Sequence, residues 1–252
     1  MSWGTKRRNI IVSMFLLFII IPVGVIAFLI FYNPPTCFDG VKNNDEVGID
    51  CGGSCQLLCT NQVVKPVVLW ERQFKINPGM YNLLAYVENP NPTAYIRNAK
   101  YLFKIYNEDN VLIGEKRGET SIAPESVRPI IENNIQTFEQ IPTRTTFEFL
   151  GELTYEQVEP KDSIILIKDE FIENESTSPR IKAKIQNISL KNIQNIDIVV
   201  LVYDVFDNVL GTSSTFVDSL GSEEIKNIVF TWPQKFPDEV ARIELIPLYD
   251  FK

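Results

Sequence analysis

The chain has 252 residues, with 24 Lys and Arg against 32 Asp and Glu, four Cys and no His. The lack of histidine excludes Ser-His-Asp and Cys-His nucleophilic systems and removes the commonest metal ligand. The acidic balance, with no basic stripe and no basic-aromatic alternation, gives no support to nucleic-acid binding.

The chain opens with a basic tip, residues 1–9, containing Lys6, Arg7 and Arg8. An apolar run follows from Ile10 to Tyr32, interrupted only by Ser13 and free of charge. A helix of about 20 apolar residues spans the roughly 30 Å hydrocarbon core of a bilayer. The run is longer than the apolar core of a signal peptide, and its exit, Leu29 to Pro35, offers no small-residue cleavage pair. Cys37 follows Pro35-Thr36 without the small residues of a lipoprotein signal. Pro22 and Gly24 within the run are tolerated by membrane helices. Residues 10–32 therefore read as a transmembrane helix whose partner is the lipid bilayer. Positive charge stays on the cytoplasmic side, so the N-terminus is expected inside and residues 33–252 outside the cytoplasm. That exported part keeps 21 basic residues against 32 acidic ones.

Residues 33–62 hold every cysteine of the chain: Cys37, Cys51, Cys55 and Cys59. An even, clustered set on the exported side implies two disulfides, with three connectivities open. Structural zinc is the competing reading, but it favours two separate pairs of closely spaced ligands. Between the first two cysteines, oxygens at Asp39, Asn43, Asp45 and Asp50 could converge on calcium, which takes six to eight oxygen ligands. The ligand set is incomplete: Val41 stands third, Asn44 takes the place of the turn glycine, and Asp50 replaces a bidentate Glu. The alternative is an acidic, turn-rich loop.

This segment resembles a cysteine motif of exported bacterial proteins, C-x-D-G-x-x-N-x-x-E-x-x-x-D-C-G-G-x-C. Its fixed positions are met by Cys37, Asp39, Gly40, Asn43, Glu46, Asp50, Cys51, Gly52, Gly53 and Cys55. The resemblance implies export rather than a particular ligand.

Residues 63–252 contain an internal repeat. Val68 to Phe74 answers Ile165 to Phe171, and Phe103 to Asn107 answers Val200 to Asp204, at an offset of 97. Gly114 and Gly211 follow their tyrosines at equal distance, and Asn89 pairs with Asn187 at an offset of 98. A period near 100 residues matches one small sandwich domain rather than a solenoid unit. Tyr101, Phe103 and Ile105 alternate with Lys100, Leu102 and Lys104, while Ile181, Ala183 and Ile185 alternate with Lys182, Lys184 and Gln186. That period of two suits sheets with one buried face. Ile196 to Val205 is richer in apolar residues, as in a central strand. Asn107 to Asn110 and Asp207-Asn208 read as hairpin turns, and scattered prolines argue against long helices. The fold class is mainly β, with two tandem immunoglobulin-like sandwiches at 63–160 and 161–252. The polar stretch Glu159-Pro160-Lys161-Asp162-Ser163 reads as their joint.

At Phe103-x-Ile105-Tyr106-Asn107 and Val200-x-Val202-Tyr203-Asp204 the chain resembles the FxLYD-like modules of bacterial and archaeal envelope proteins. The first copy has Ile for Leu and Asn for Asp, and the second has Val for both Phe and Leu. Basic tip, helix, cysteine motif and two modules together resemble an uncharacterised family of bacterial single-pass membrane proteins. That resemblance implies architecture and carries over no functional residue.

Other features read as structural. Asn174 and Asn187 begin glycosylation-like triplets, but Asn187 recurs opposite Asn89 and reads as a turn residue. Trp70 and Trp232 are expected in the sandwich cores. Tyr86, Tyr95 and Tyr249 look exposed and form a candidate binding patch. The carboxylate pairs Asp169/Glu170 and Glu223/Glu224 are adjacent, and neighbours on a strand point to opposite faces. The reading is a non-catalytic, membrane-anchored binding or scaffold protein of the cell envelope, with other envelope proteins as partners. The alternatives are an accessory subunit docked through its helix and a calcium-dependent or carboxylate-based hydrolase.

Overall fold

A computed structural model describes residues 3–31, 36–159 and 164–249. The end of the apolar run at Tyr32, its exit at 33–35, and residues 160–163 of the polar joint lie outside the described residues. The chain divides into two compact units, Met1–Ser54 and Cys55–Lys252.

The first unit begins with helix α1, Trp3–Phe31. It starts seven residues before the apolar run and takes in Arg7, whose guanidinium lies 4.0 Å from the centre of the Trp3 ring. At 1.5 Å per residue its 29 residues extend about 43 Å, close to the full thickness of a bilayer. Its stretch Arg7–Leu29 has mean hydropathy 3.0 and is not buried against the rest of the chain. Apolar residues surround it on every side, as lipid contact requires and a soluble helix avoids. By length and composition this helix can cross a membrane.

In the second unit the chain passes a 3-10 turn, Thr60–Gln62, and enters seven strands. These are β1 Val67–Asn77, β2 Met80–Asn89, β3 Ala94–Tyr106, β4 Leu112–Ile122, β5 Ser126–Gln136, β6 Arg144–Phe149 and β7 Thr154–Gln157. Six more follow: β8 Ile165–Glu173, β9 Arg180–Asn187, β10 Ile193–Tyr203, β11 Val209–Leu220, β12 Ile225–Thr231 and β13 Arg242–Leu248. In the first copy, sheet β1-β2-β5 faces sheet β4-β3-β6, with β7 also paired to β3. In the second, β8-β9-β12 faces β11-β10-β13. The strand order repeats, β1 corresponding to β8, β2 to β9, β3 to β10, β4 to β11, β5 to β12 and β6 to β13. All pairings are antiparallel. Pro129 and Pro247 lie in β5 and β13, edge strands that tolerate a missing donor.

Each sandwich has its own core. Leu83, Val87, Ile130, Phe103, Ile105 and Phe147 fill the first. Ile181, Ile185, Ile198, Val200, Phe230 and Trp232 fill the second. The alternations at 101–105 and 181–185 deliver these residues inward, as their spacing predicts.

A third apolar cluster joins the two copies. Phe74 and Leu84 from the first pack with Val199, Leu201 and Tyr203 of the second, flanked by Trp70, Tyr86 and Ile246. The outer face of sheet β1-β2-β5 therefore lies against the outer face of sheet β11-β10-β13. Polar groups, of which Asn82 and Thr212 are buried, fix the contact. Asn82 Nδ2 donates to the Thr212 carbonyl at 3.0 Å while its Oδ1 accepts the Asn134 N–H, and Asn133 Nδ2 donates to Ser214 Oγ. Strand β10 is thus covered on both faces, which is why its sequence is an almost continuous apolar run.

Two aromatic residues stand elsewhere than their sequence context predicts. Trp70 sits in the junction between the copies, stacked on Tyr86 with ring centres 5.2 Å apart, and not in a sandwich core. Tyr95 is buried rather than exposed, held in β3 between Ala94 and Ile96, with Arg97 over its ring.

Candidate functional site

The motif residues of the cysteine loop close the loop on itself. All four cysteines are disulfide-bonded, so no thiolate is left for zinc. The Asp50 carboxylate accepts the N–H groups of Asp39 and Gly40 at 3.0 to 3.1 Å. Asp39 accepts from the N–H groups of Thr36 and Val41 and from Asn43 Nδ2. These donors, the Thr36 N–H foremost, hold its carboxyl below the usual Asp range. Glu46, largely buried, accepts the N–H groups of Asn43 and Asp50. Gly53 adopts φ +63°, and a Cβ there would strike the carbonyl of Asp45.

Of the four residues proposed as calcium ligands, Asp39, Asn43 and Asp50 are brought into one network. Asp45 is engaged by Ser54 Oγ at 2.8 Å. The Asp39 carboxylate already accepts two backbone N–H groups and the Asn43 amide, and the Asp50 carboxylate accepts two backbone N–H groups, so the motif spacing has a structural cause that needs no ion.

The repeated Tyr-Asn/Asp motif also has a structural cause. In each copy the strand carries a register shift just before its tyrosine, between Ile105 and Tyr106 and between Val202 and Tyr203. Opposite the residue before the tyrosine stands the repeated glycine, Gly114 or Gly211. A Cβ on Gly211 would come within 2.7 Å of the Phe236 ring. Each tyrosine faces an arginine on the neighbouring strand, Arg144 at 4.1 Å from the Tyr106 ring centre and Arg242 at 3.8 Å from that of Tyr203. The residue after the tyrosine closes the hairpin. Asn107 Oδ1 accepts the N–H groups of Asp109 and Val111, and Asp204 Oδ1 those of Phe206 and Asn208. The motif is a strand end and its turn.

Asn89 and Asn187 are fully buried and do equivalent work. Asn89 Nδ2 donates to the carbonyls of Ala94 and Ala123. Asn187 Nδ2 donates to those of Lys191, Leu220 and Gly221. Each side chain ties three strand ends together, so Asn187 is a structural residue.

Among the described residues, perturbed acids and phenols pair with neighbouring side chains. Burial pushes the half-buried Glu132 carboxyl up, while Tyr101 donates to it at 3.1 Å and Lys116 stands 3.7 Å away. Tyr101 and Tyr203 are raised by burial and by the Glu132 and Glu244 carboxylates they bond, so they act as donors. Of the sequence pairs, Asp169 is held low by Lys184 at 2.7 Å, and Glu224 binds the Gly221 N–H and faces Lys226. Tyr249 is half-buried, its hydroxyl accepting the Ile164 N–H. The tyrosine patch is therefore not assembled.

No protein-family model matches the chain, and no curated protein matches it. Among solved structures it is similar to a red sea bream transglutaminase, at 7% identity and TM-score 0.23, over 72% of this chain and 29% of that one. It is similar to a glycoside hydrolase family 2 β-glucuronidase at 13% identity and TM-score 0.23, over 69% and 24% of the two chains. An Amycolatopsis orientalis exo-chitosanase matches at 7% identity and TM-score 0.20, over 68% and 25%. The chain thus spans less than a third of the length of these proteins.

Proposed function

We propose that this protein is a non-catalytic scaffold of the cell envelope, anchored by α1 and carrying two sandwiches outside the cytoplasm as one body. The observation that carries the reading is the third apolar cluster, downstream of a membrane-length helix. It makes Cys55–Lys252 one compact unit. A body of fixed shape suits the presentation of a surface at a set place. The polar groups support the same reading, because the two most perturbed, Tyr101 and Tyr203, are committed as donors to Glu132 and Glu244. Partners are other envelope proteins, recognised by the exposed acidic surface.

The test is affinity capture of the intact, membrane-inserted protein, with and without α1 exchanged for an unrelated span. The scaffold reading expects the same envelope proteins in both captures. Loss of every partner on exchanging the span would favour an accessory subunit docked through its helix. A purified protein that turned over a glycan, peptide or phosphoester, and lost turnover on changing one carboxylate, would refute the reading.

A further inference from the structure

The loop after the membrane helix turns its acids to its own backbone and its apolar side chains to solvent. Its acids Asp39, Glu46 and Asp50 are turned onto backbone N–H groups of the loop itself. Its apolar side chains point away: Phe38 is 80% exposed, Val41 57% and Ile49 62%. Single exposed apolar residues are ordinary on a soluble surface, but three within 12 positions of a loop whose carboxylates serve its own backbone are not. The loop's place in the chain supplies the occupant. Phe38 lies seven residues beyond Phe31, the last residue of α1, so it can stand at most about 25 Å from the helix end. A bilayer interface lies within that reach and favours an aromatic ring and aliphatic side chains.

We propose that the loop rests on the outer surface of the bilayer, with Phe38, Val41 and Ile49 inserted into the lipid interface as a second membrane contact. This rests on the reading of α1 as a span. Four acids against Lys42 make the loop net negative between Thr36 and Ser54, so insertion is driven by apolar burial and gains nothing from anionic lipid. Such a contact fixes how the exported chain leaves the membrane, which a single helix with a free exit does not.

The test uses the full chain reconstituted in phosphatidylcholine vesicles, with Phe38→Trp and Ile49→Trp made separately. Each variant is checked for the absence of free thiols, and the emission of the parent protein is subtracted. The proposal expects a blue-shifted added emission, quenched at least about twofold by lipids brominated on the acyl chain. Adding anionic lipid should not deepen the quenching. Vesicle flotation separates the two ways of failing. Protein that does not float with vesicles overturns the span and the proposal together. Protein that floats, yet in both variants adds an indole emission that brominated lipid does not quench, overturns the loop contact alone. A blue-shifted but unquenched signal would place the residue against protein, and that too overturns it.

Discussion

Truncation of Leu201 to alanine tests whether the two sandwiches form one body. Leu201 has no exposed surface and packs in the cluster between the copies, on the face of β10 turned away from its own core. The change removes three carbons, each contributing about 0.8 kcal/mol by burial. With a cavity term, the expected loss is about 3 kcal/mol, inside the usual range for buried Leu→Ala. For a body of this size that lowers Tm by about 6 to 12 °C. Were the copies independent, Leu201 would face solvent and its truncation would fall within about 0.5 kcal/mol of neutral. The assay is guanidinium unfolding of the full chain in detergent, followed by tryptophan fluorescence. Trp70 reports the junction and Trp232 the second core. One transition, shifted as a whole by Leu201→Ala, is the expected result. A near-neutral effect, or two separate transitions of which only one moves, would refute the reasoning.

Asn89→Ala and Asn187→Ala should each cost about 3 kcal/mol in the same assay, because each leaves carbonyls at two neighbouring strand ends without their donor, two for Asn89 and three for Asn187. A loss below about 1 kcal/mol would contradict that role. The Asp204 carboxyl is held low, chiefly by the Asn208 side chain, so its contribution is present above the unfolded value near 3.8 and is lost as pH falls below it. Asp204→Asn should therefore flatten the acid arm of a Tm-against-pH curve, and an unchanged arm would count against it. Glu132 is shifted the opposite way: its raised folded-state value means stability is full below about 4.5 and declines as pH rises through the folded value. Glu132→Gln should accordingly raise Tm at neutral pH and lose that advantage in acid, and a lower Tm at neutral pH would be the contrary result. Chelation of calcium should leave the cysteine loop folded, since its own donors close it. A drop in Tm that calcium reverses and Asp50→Asn abolishes would add an ion to the account.

The sandwiches were legible because period-two patterning directs one face of each strand inward. Ile181, Ala183 and Ile185 could occupy no other face without burying Lys182 and Lys184. The repeat was legible because its shared residues are the ones that local geometry constrains: a glycine opposite a register shift, an Asx turn, a buried Asn. The junction was not read, although the copies carry a signal for it. Leu84 and Tyr86 correspond to Lys182 and Lys184, and Leu201 corresponds to Lys104. Outward positions that are lysine in one copy and apolar in the other mark the faces that meet. Alternation within a single strand could not expose this, because it separates the two faces without saying what covers the outer one. The same limit applied to Trp70, whose size suggested a core without naming which. In the cysteine loop, carboxylate spacing suggested calcium because turn closure and cation binding recruit the same oxygen-bearing side chains.

The most direct test of the account is the side of the membrane on which the sandwiches stand. The full chain with a C-terminal tag is expressed in cells whose outer layer has been removed, and external protease is added. The account expects loss of the tag from intact cells while a tag placed before Lys6 survives until the membrane is opened. A C-terminal tag that stays protected until permeabilisation would contradict the exported body on which the proposed function depends.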